Sequence, residues 1–600
     1  VSRRALIVFT AVYVILCAIY FFQALRVTEP GFPLDDAWIY QVFARNIAQG
    51  QGFAFNPGQP ISGTTAPLWT LLMGLLWPLA GPIASALILG IALEWLALIA
   101  VYKIARLLTG DESLAFATLL ACALCWVLTW GALSGMEVGL YSTLSLWGLY
   151  IYLKTESFGH SRNYLVYFLF ALAVVARPEC ALFLAAAVIC DFLEWRRLPQ
   201  KMLLPWLARA AIVAAILTPY FAFNYWTTGS IFPQTFTAKT EEHGFFSALM
   251  AGDFKRVAKS LTLYPYVYLQ DFLMRLLFLT PILMVAFITG AVKLVSLDGP
   301  LKSKGVMLLA LVMLYVPAMG AFSPVIIGGT YHHMRLMDNI VPLIIAIGLA
   351  GLFWRRDAWR CPYAQLFIIA GLAFGAAGGI MMLADRFIVE RTARYLVQDF
   401  SRYTARDFAI QARLVWDTGR NIIIMGFLIT TGILLCGRKV QGAINSRPGM
   451  AIMLTAILGY MAVFALVRSD YYANDVRNIN EMDKAVGVYL RGLNGEGRSV
   501  AVNDIGAIGY FSGMRILDLK GLITLQITPD MIRDDSLAFE YLLRHERVDY
   551  MAIFPEWFSY IPRRTDILRP IKYFTVGRNT ILAGDTTIVY KADWPAPNRK

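Results

Sequence analysis

Residues 5–22 read ALIVFTAVYVILCAIYFF, an uncharged apolar stretch preceded by Ser2-Arg3-Arg4. Coiled as a helix it rises about 27 Å, close to the ~30 Å hydrocarbon core of a bilayer. Comparable blocks recur along most of the 600 residues. Hydrophobic residues make up 58% of the chain and charged residues 16%, too few charges for a water-facing surface of this size. The apolar excess argues against disorder. Unbroken runs, rather than short alternating segments, argue against a transmembrane β-barrel. The chain therefore reads as a polytopic α-helical membrane protein. The first run is long and lacks a small-x-small cleavage site, so it is expected to be an uncleaved span with its N-terminus inside.

Further spans are expected at 67–81, 83–102, 114–133, 138–153, 163–176, 178–193, 203–223, 271–292, 305–321, 339–354, 363–384, 421–436 and 450–467. The expectation is about 13 transmembrane helices, or 14. Basic residues mark the inside loops: Arg196, Arg197 and Lys201; Lys293, Lys302 and Lys304; Arg355, Arg356 and Arg360; Arg438, Lys439 and Arg447. Alternation from these places 25–66, 224–270, 322–338, 385–420 and 470–600 outside. Two features strain this order. Loop 385–420 carries seven Arg against five acids and reads as amphipathic helix lying on the membrane. Loop 103–112, with Lys103 and Arg106, reads as inside only if 67–102 crosses an odd number of times.

The net charge of +13 resides in the membrane half. Residues 470–600 contain 17 basic and 17 acidic side chains. No soluble domain carries the basic excess, so a nucleic-acid partner is disfavoured. The chain divides into a membrane domain, 1–469, and an outer C-terminal domain, 470–600. In the latter an amphipathic helix (476–493), strands at 499–502, 516–517 and 550–553, short helices at 504–511 and 536–545, and a β region at 570–590 predict a small α/β fold. Six of the seven cysteines lie in apolar runs and read as small packing residues, the Cys122–Cys125 pair included.

The first outer loop, 25–66, contains LDDAWIYQVFARNIAQGQGFAFNPGQPISG from Leu34 to Gly63. Asp35 and Asp36 are adjacent carboxylates just past a membrane helix. Adjacent like charges raise each other's proton affinity, which suits a general base or a shared cation. The bland alternative is a helix N-cap beside a solvated loop acid. Trp38, Tyr40, Phe53, Phe55 and Trp69 surround the pair in sequence, and an interfacial aromatic belt accounts for most of them.

The stretch LDDAWIYQVFARNIAQGQGFAFNPGQPISGTTAPLWTLL resembles the first-loop signature of GT-C membrane glycosyltransferases. It is most similar to the branch of arabinofuranosyltransferases that use decaprenyl-phosphate arabinose. Shorter segments follow in that family's order: Ser134-Gly135-Met136-Glu137, Ala176-Arg177-Pro178-Glu179, and Phe232-Pro233-Gln234-Thr235 through Lys239. The charge-derived topology puts all of them at the outer face. The run 502–522 is also similar to the outer domain of this branch. Val138 and Gln234 depart from the family pattern.

The resemblance implies a GT-C fold and an inverting transferase. It would move a sugar from a polyprenyl-phosphate donor to a cell-envelope glycan or glycolipid, at the outer face of a bacterial inner membrane. The leaving phosphate needs no general acid. The reaction needs a base for the acceptor hydroxyl and positive charge near the phosphate. By resemblance Asp35 is the first choice for the base, with Asp36 orienting the acceptor, or the reverse. Donor-phosphate candidates are Arg177, Lys239, Arg335, His332 and His333. Substrate-binding candidates are Trp38, Tyr40, Arg45, Asn56, Glu137 and Gln234. Asp35, Asp36 and Glu137 together are the one candidate set for Mg2+ or Mn2+, though the branch need not use a metal. Glu179 is expected to pair with Arg177, Asp504 to cap its helix and Asp518 to end a strand. Competing functions are an oligosaccharyltransferase, disfavoured by the lack of a WWD motif, and a transporter or flippase of lipid-linked sugars, disfavoured by the lack of repeated halves. The residues are equally compatible with arabinofuranose, mannose, galactose or an aminosugar.

Overall fold

The computed structural model describes residues 2–155, 162–195, 203–240, 245–262, 281–295, 300–322, 334–353, 447–493 and 497–595, with a few positions between 264 and 272. The expected spans 363–384 and 421–436, loop 385–420, and His332 and His333 lie outside them.

Among the described residues, five helices are long and apolar enough to cross a membrane: Arg3–Leu25, Pro67–Thr109, Leu203–Thr228, Lys302–Phe322 and Pro448–Gly492. Glu112–Ala123 and Trp126–Ala132 form a sixth candidate, bent by 62° at the break between them. That break falls inside the expected span 114–133. Asn163–Ala176 and Val341–Phe353 are shorter apolar helices.

The expected pair of helices at 67–81 and 83–102 is present: the stretch Pro67–Thr109 is broken by non-helical backbone at Gly81, with Pro78 and Pro82 on either side. Gly81 takes φ 72°, open to glycine at no steric cost, and Pro82 has no N–H for the helical ladder. Its first arm, up to Ala80, rises only about 21 Å, whereas the second is long enough to span.

The C-terminal sheet has five strands: β1 (Ser499–Val502), β2 (Arg515–Asp518), β3 (Tyr550–Ile553), β4 (Leu568–Thr575) and β5 (Thr586–Ala592). Their spatial order is β2-β1-β3-β5-β4. β1 is parallel to both β2 and β3, with Val500 opposite Ile516 and Tyr550. β5 is antiparallel to β3 and β4. β1 and β3 are buried along nearly their whole length, as central parallel strands should be. Helix is continuous from the last apolar span into this domain: Arg447–Ile479 runs through a π turn, Asn480–Lys484, into Ala485–Gly492.

The first loop docks on this domain. Helix Asp36–Ala48 packs on helix Gly506–Ser512. Phe43 and Phe55 share a buried apolar cluster with Val486, Val500, Val502, Ile508 and Ile516. Burying two such rings contributes several kcal/mol at about 25 cal/mol per Å2, so loop and domain are held as one body.

Candidate active site

Asp35 and Asp36 turn to different partners. Asp35 is 8% exposed. Its Oδ2 accepts from the Gly506 N–H and its Oδ1 from the Ala507 N–H, both at 2.7 Å. It therefore satisfies the free amides that open helix Gly506–Ser512. Two capping expectations change here. Asp35 makes no side-chain cap on its own helix. Asp504, expected to cap Gly506–Ser512, makes no cap either, and the carboxylate that does comes from the first loop. Burial pushes the Asp35 carboxyl up to about 6, the two amide bonds pull it down, and the neighbouring Asp36 adds a smaller push upward.

Asp36 keeps 31% of its side chain exposed and ion-pairs with Arg335, Oδ2 to Nη2 2.7 Å. Arg335 also lies 2.9 Å, through Nη1, from Met136 Sδ, and its main-chain oxygen accepts from Tyr141 Oη. The turn that delivers Arg335 begins at Met334, which has φ 59° and is buried. A bulky residue held in the left-handed region is costly and persists only where surrounding contacts fix it. Tyr40 lies one helical turn beyond Asp36, on the same face. It is buried within electrostatic reach of Asp36, Arg335, Glu137 and Arg177.

Arg177 is buried between two carboxylates. It pairs with Glu137 through Nη1 and with Glu179 through Nε (3.1 Å) and Nη2 (3.2 Å). Nη1 also reaches Thr65 Oγ1 at 3.5 Å. The expected Glu179 pairing is present, and Glu137 joins it. Glu137 Oε2 is buried and has no hydrogen-bond partner among the described residues. The Ser134-Gly135-Met136 bend is dictated sterically: Gly135 has φ 74°, and a Cβ there would sit 2.3 Å from the Phe32 ring. Phe32 in turn packs edge-on against Trp38.

Several substrate candidates are occupied at the docking interface. Trp38 is buried against Phe32, Tyr510 and Phe511. Arg45 donates to the Tyr510 carbonyl at 2.9 Å and lies over its ring. Asn56 Nδ2 donates to the Ile516 carbonyl, and its Oδ1 accepts from the Ile516 N–H. Gln234 is a strut: its N–H donates to Ser62 O at 3.0 Å and its Nε2 to Gly521 O at 2.8 Å. Lys239 is placed by its backbone in helix Gln234–Thr240.

Asp504 and Asp483 come close to the Asp pair, which no local sequence pattern indicates. Burial first, then the charges of Asp35 and Asp36, push the Asp504 carboxyl well up, and Lys520 partly offsets this. Asp483 is buried with both carboxylate oxygens unbonded among the described residues. Both belong to the C-terminal domain, and only its docking brings them near. Asp518 accepts from the N–H groups of Lys520, Leu522 and Ile523, so it shapes the turn after β2. Among the described residues no three His, Cys, Asp or Glu side chains converge as cation ligands. Asp35, Asp36 and Glu137 face the Gly506–Ala507 amides, Arg335 and Arg177 respectively.

Residues 470–595 match a family described as a domain of unknown function, DUF8728. Comparison with curated proteins gives no match. Among solved structures, ArnT from Cupriavidus metallidurans in the apo state is similar at 12% identity, with 97% of each chain covered and a TM-score of 0.48.

Proposed function

We propose that this chain is an inverting glycosyltransferase that moves a sugar from a polyprenyl-phosphate donor to a cell-envelope glycan or glycolipid, at the outer face of a bacterial inner membrane. One observation carries the reading. Segments far apart in sequence, each matched separately to the same transferase signature, meet at one place. Arg177 reaches Glu137 and Thr65, Gln234 binds Ser62, and Tyr40 lies within electrostatic reach of Asp36, Arg335, Glu137 and Arg177.

Of the two orders for the acid pair, the geometry favours Asp36 as the base. Asp36 is partly open to solvent, whereas both oxygens of Asp35 are committed to backbone amides. Asp35 is then a positioning residue. Arg335 is the best-placed cation for the donor phosphate. In the free protein it is ion-paired with Asp36. A bound phosphate would draw the guanidinium toward itself and release Asp36 to accept the acceptor proton. The acceptor oxygen then attacks the anomeric carbon from the face opposite the leaving group. Its proton passes to Asp36, and the C–O bond to phosphate breaks with the electron pair leaving on polyprenyl phosphate. Arg177, held by two carboxylates, is less available to the donor and serves to fix the Glu137 and Thr65 segments together.

Mass spectrometry of lipid co-purified with the full chain, followed by turnover with polyprenyl-phosphate sugars, tests this reading. The expected result is a bound polyprenyl-phosphate sugar and glycoside formation that depends on Asp36. Full turnover by the Asp35→Asn/Asp36→Asn double variant would sink it.

A further inference from the structure

Where the first-loop turn meets the outer edge of β2, a cavity of about 310 Å3 opens. That is the lower end of the size range for small-ligand pockets. Its lining includes Phe55, Asn56, Gln59, Arg515, Gln526 and Glu546.

The chemistry of this lining narrows the ligand. β2 is an edge strand, which ordinarily invites an extended peptide. Here Asn56 already takes both the N–H and the C=O of Ile516, so the edge is closed to strand addition. Nor is the cavity charged. Arg515 and Glu546 form a two-bond pair at 2.7 and 2.9 Å, which leaves no net charge for an anion. What remains are planar amides and apolar surface. Gln59 and Gln526 stand exposed on the rim with no side-chain bond to a described residue. Each offers a donor and an acceptor side by side, the pattern that adjacent sugar hydroxyls match. Ile61, Ile523 and the edge of Phe55 supply apolar surface for sugar C–H faces.

The position fits an acceptor. A Cβ on Gly509 would sit 2.6 Å from the Phe55 ring, and one on Gly506 would sit 2.1 Å from the Asp35 carbonyl oxygen. These glycines are three residues apart, on one face of one helix. The cavity and the acid pair are therefore joined through the same short helix.

We infer that this cavity is a subsite for a neutral glycan segment of the acceptor, held a short way from the sugar that is extended. The inference rests on the transferase reading above. It is tested on the detergent-purified full chain with fluorophore-labelled neutral tetrasaccharides (maltotetraose, mannotetraose and arabinotetraose), followed by fluorescence polarisation. At least one should bind. Gln59→Ala with Gln526→Ala should weaken that binding about tenfold, the loss of two ordinary hydrogen bonds. Gln526→Trp, which fills the cavity from its open side, should weaken it at least as much. Absence of binding by all three probes overturns the inference, as does binding that neither variant changes. Wild-type turnover of polyprenyl-phosphate sugar is scored separately. Cavity-dependent binding without turnover defeats the transferase reading and leaves a glycan site. Turnover with cavity-independent binding defeats the subsite alone.

Discussion

Asp35 holds the backbone N–H of Gly506 at 2.7 Å across 471 residues of sequence. This contact separates two acids that the sequence presents as a pair. Asp35 ties the first loop to the C-terminal domain, and Asp36 is left facing Arg335. The helix that begins at Asp36 sends successive side chains about 100° apart. One acid can therefore turn into the domain while the next stays near solvent.

Asp35→Ala removes the acceptor for two buried amides. Loss of a cap of this kind costs about 2 kcal/mol. Hydrogen–deuterium exchange over 499–518 should accelerate, while the membrane helices keep their protection. Asp35→Asn retains one acceptor oxygen and should fall between the wild type and Asp35→Ala.

The Asp35 carboxyl sits at about 6 because of burial, against an ordinary value of 3.8. The native state therefore takes up a proton before the unfolded chain does. Stability contributed at this site should rise as pH falls from about 6 toward 4, and stay level on either side of that window. The full effect is on the order of 3 kcal/mol. Thermal unfolding between pH 4 and 8 should show this slope in the wild type. The difference between wild type and Asp35→Asn reports this group together with its coupling to Asp483 and Asp504.

Asp36→Asn preserves shape but removes the base. Turnover should fall by about 10^2- to 10^4-fold. The melting temperature should change little, since the ion pair with Arg335 is partly solvated. Arg335→Lys keeps the charge and loses the planar fork, so donor KM should rise more than kcat falls. A kcat-only defect in Arg335→Lys would remove the phosphate role assigned to it.

The membrane character and most outer strands were legible because they depend on local pattern: long apolar runs, and short β-rich segments between turns. The docking was not. Arg45, Asn56 and Trp38 look like substrate ligands when read beside the acid pair, yet all three contact Tyr510, Phe511 or Ile516, some 460 residues away. Nothing in a local window states which face of a loop another domain will cover. The break between the helices at 67–81 and 83–102 was legible, with Pro78 and Pro82 at its edges, but its consequence for the number of crossings depends on the length of each arm. Asp483 and Asp504 were missed for the same reason as the docking: their proximity to Asp35 exists only after the C-terminal domain folds back.

Arg177 tests a different link, that between segments of the site. It is buried with Glu137 and Glu179. Removing one member of a buried pair leaves the other charge uncompensated, at a cost of about 3–5 kcal/mol. Arg177→Met should therefore destabilise strongly. Adding Glu137→Gln to it should recover part of the loss, because a charge that has lost its partner is neutralised. A double-mutant cycle in thermal unfolding measures this, and additive losses would refute the coupling.

Gly506 and Gly509 separate two ways of tightening the same interface. At Gly506 an added Cβ meets the Asp35 carbonyl oxygen at 2.1 Å, and backbone cannot swing aside. At Gly509 the obstacle is the Phe55 ring at 2.6 Å, and a side chain can rotate. Alanine lowers the backbone entropy of the unfolded chain equally at both sites, so that gain cancels in the comparison. Gly506→Ala should push the helix away from Asp35, lengthen both amide contacts, and cost about 1–3 kcal/mol or more. Gly509→Ala should cost less, and the loss should shrink further when Phe55→Leu makes room. The order matters for function as well as stability. Gly506→Ala acts where the helix holds the loop that carries Asp36, so turnover should fall even at temperatures where the protein stays folded. Equal stability and equal turnover in the two variants would show that the Asp35 contact does not position the site.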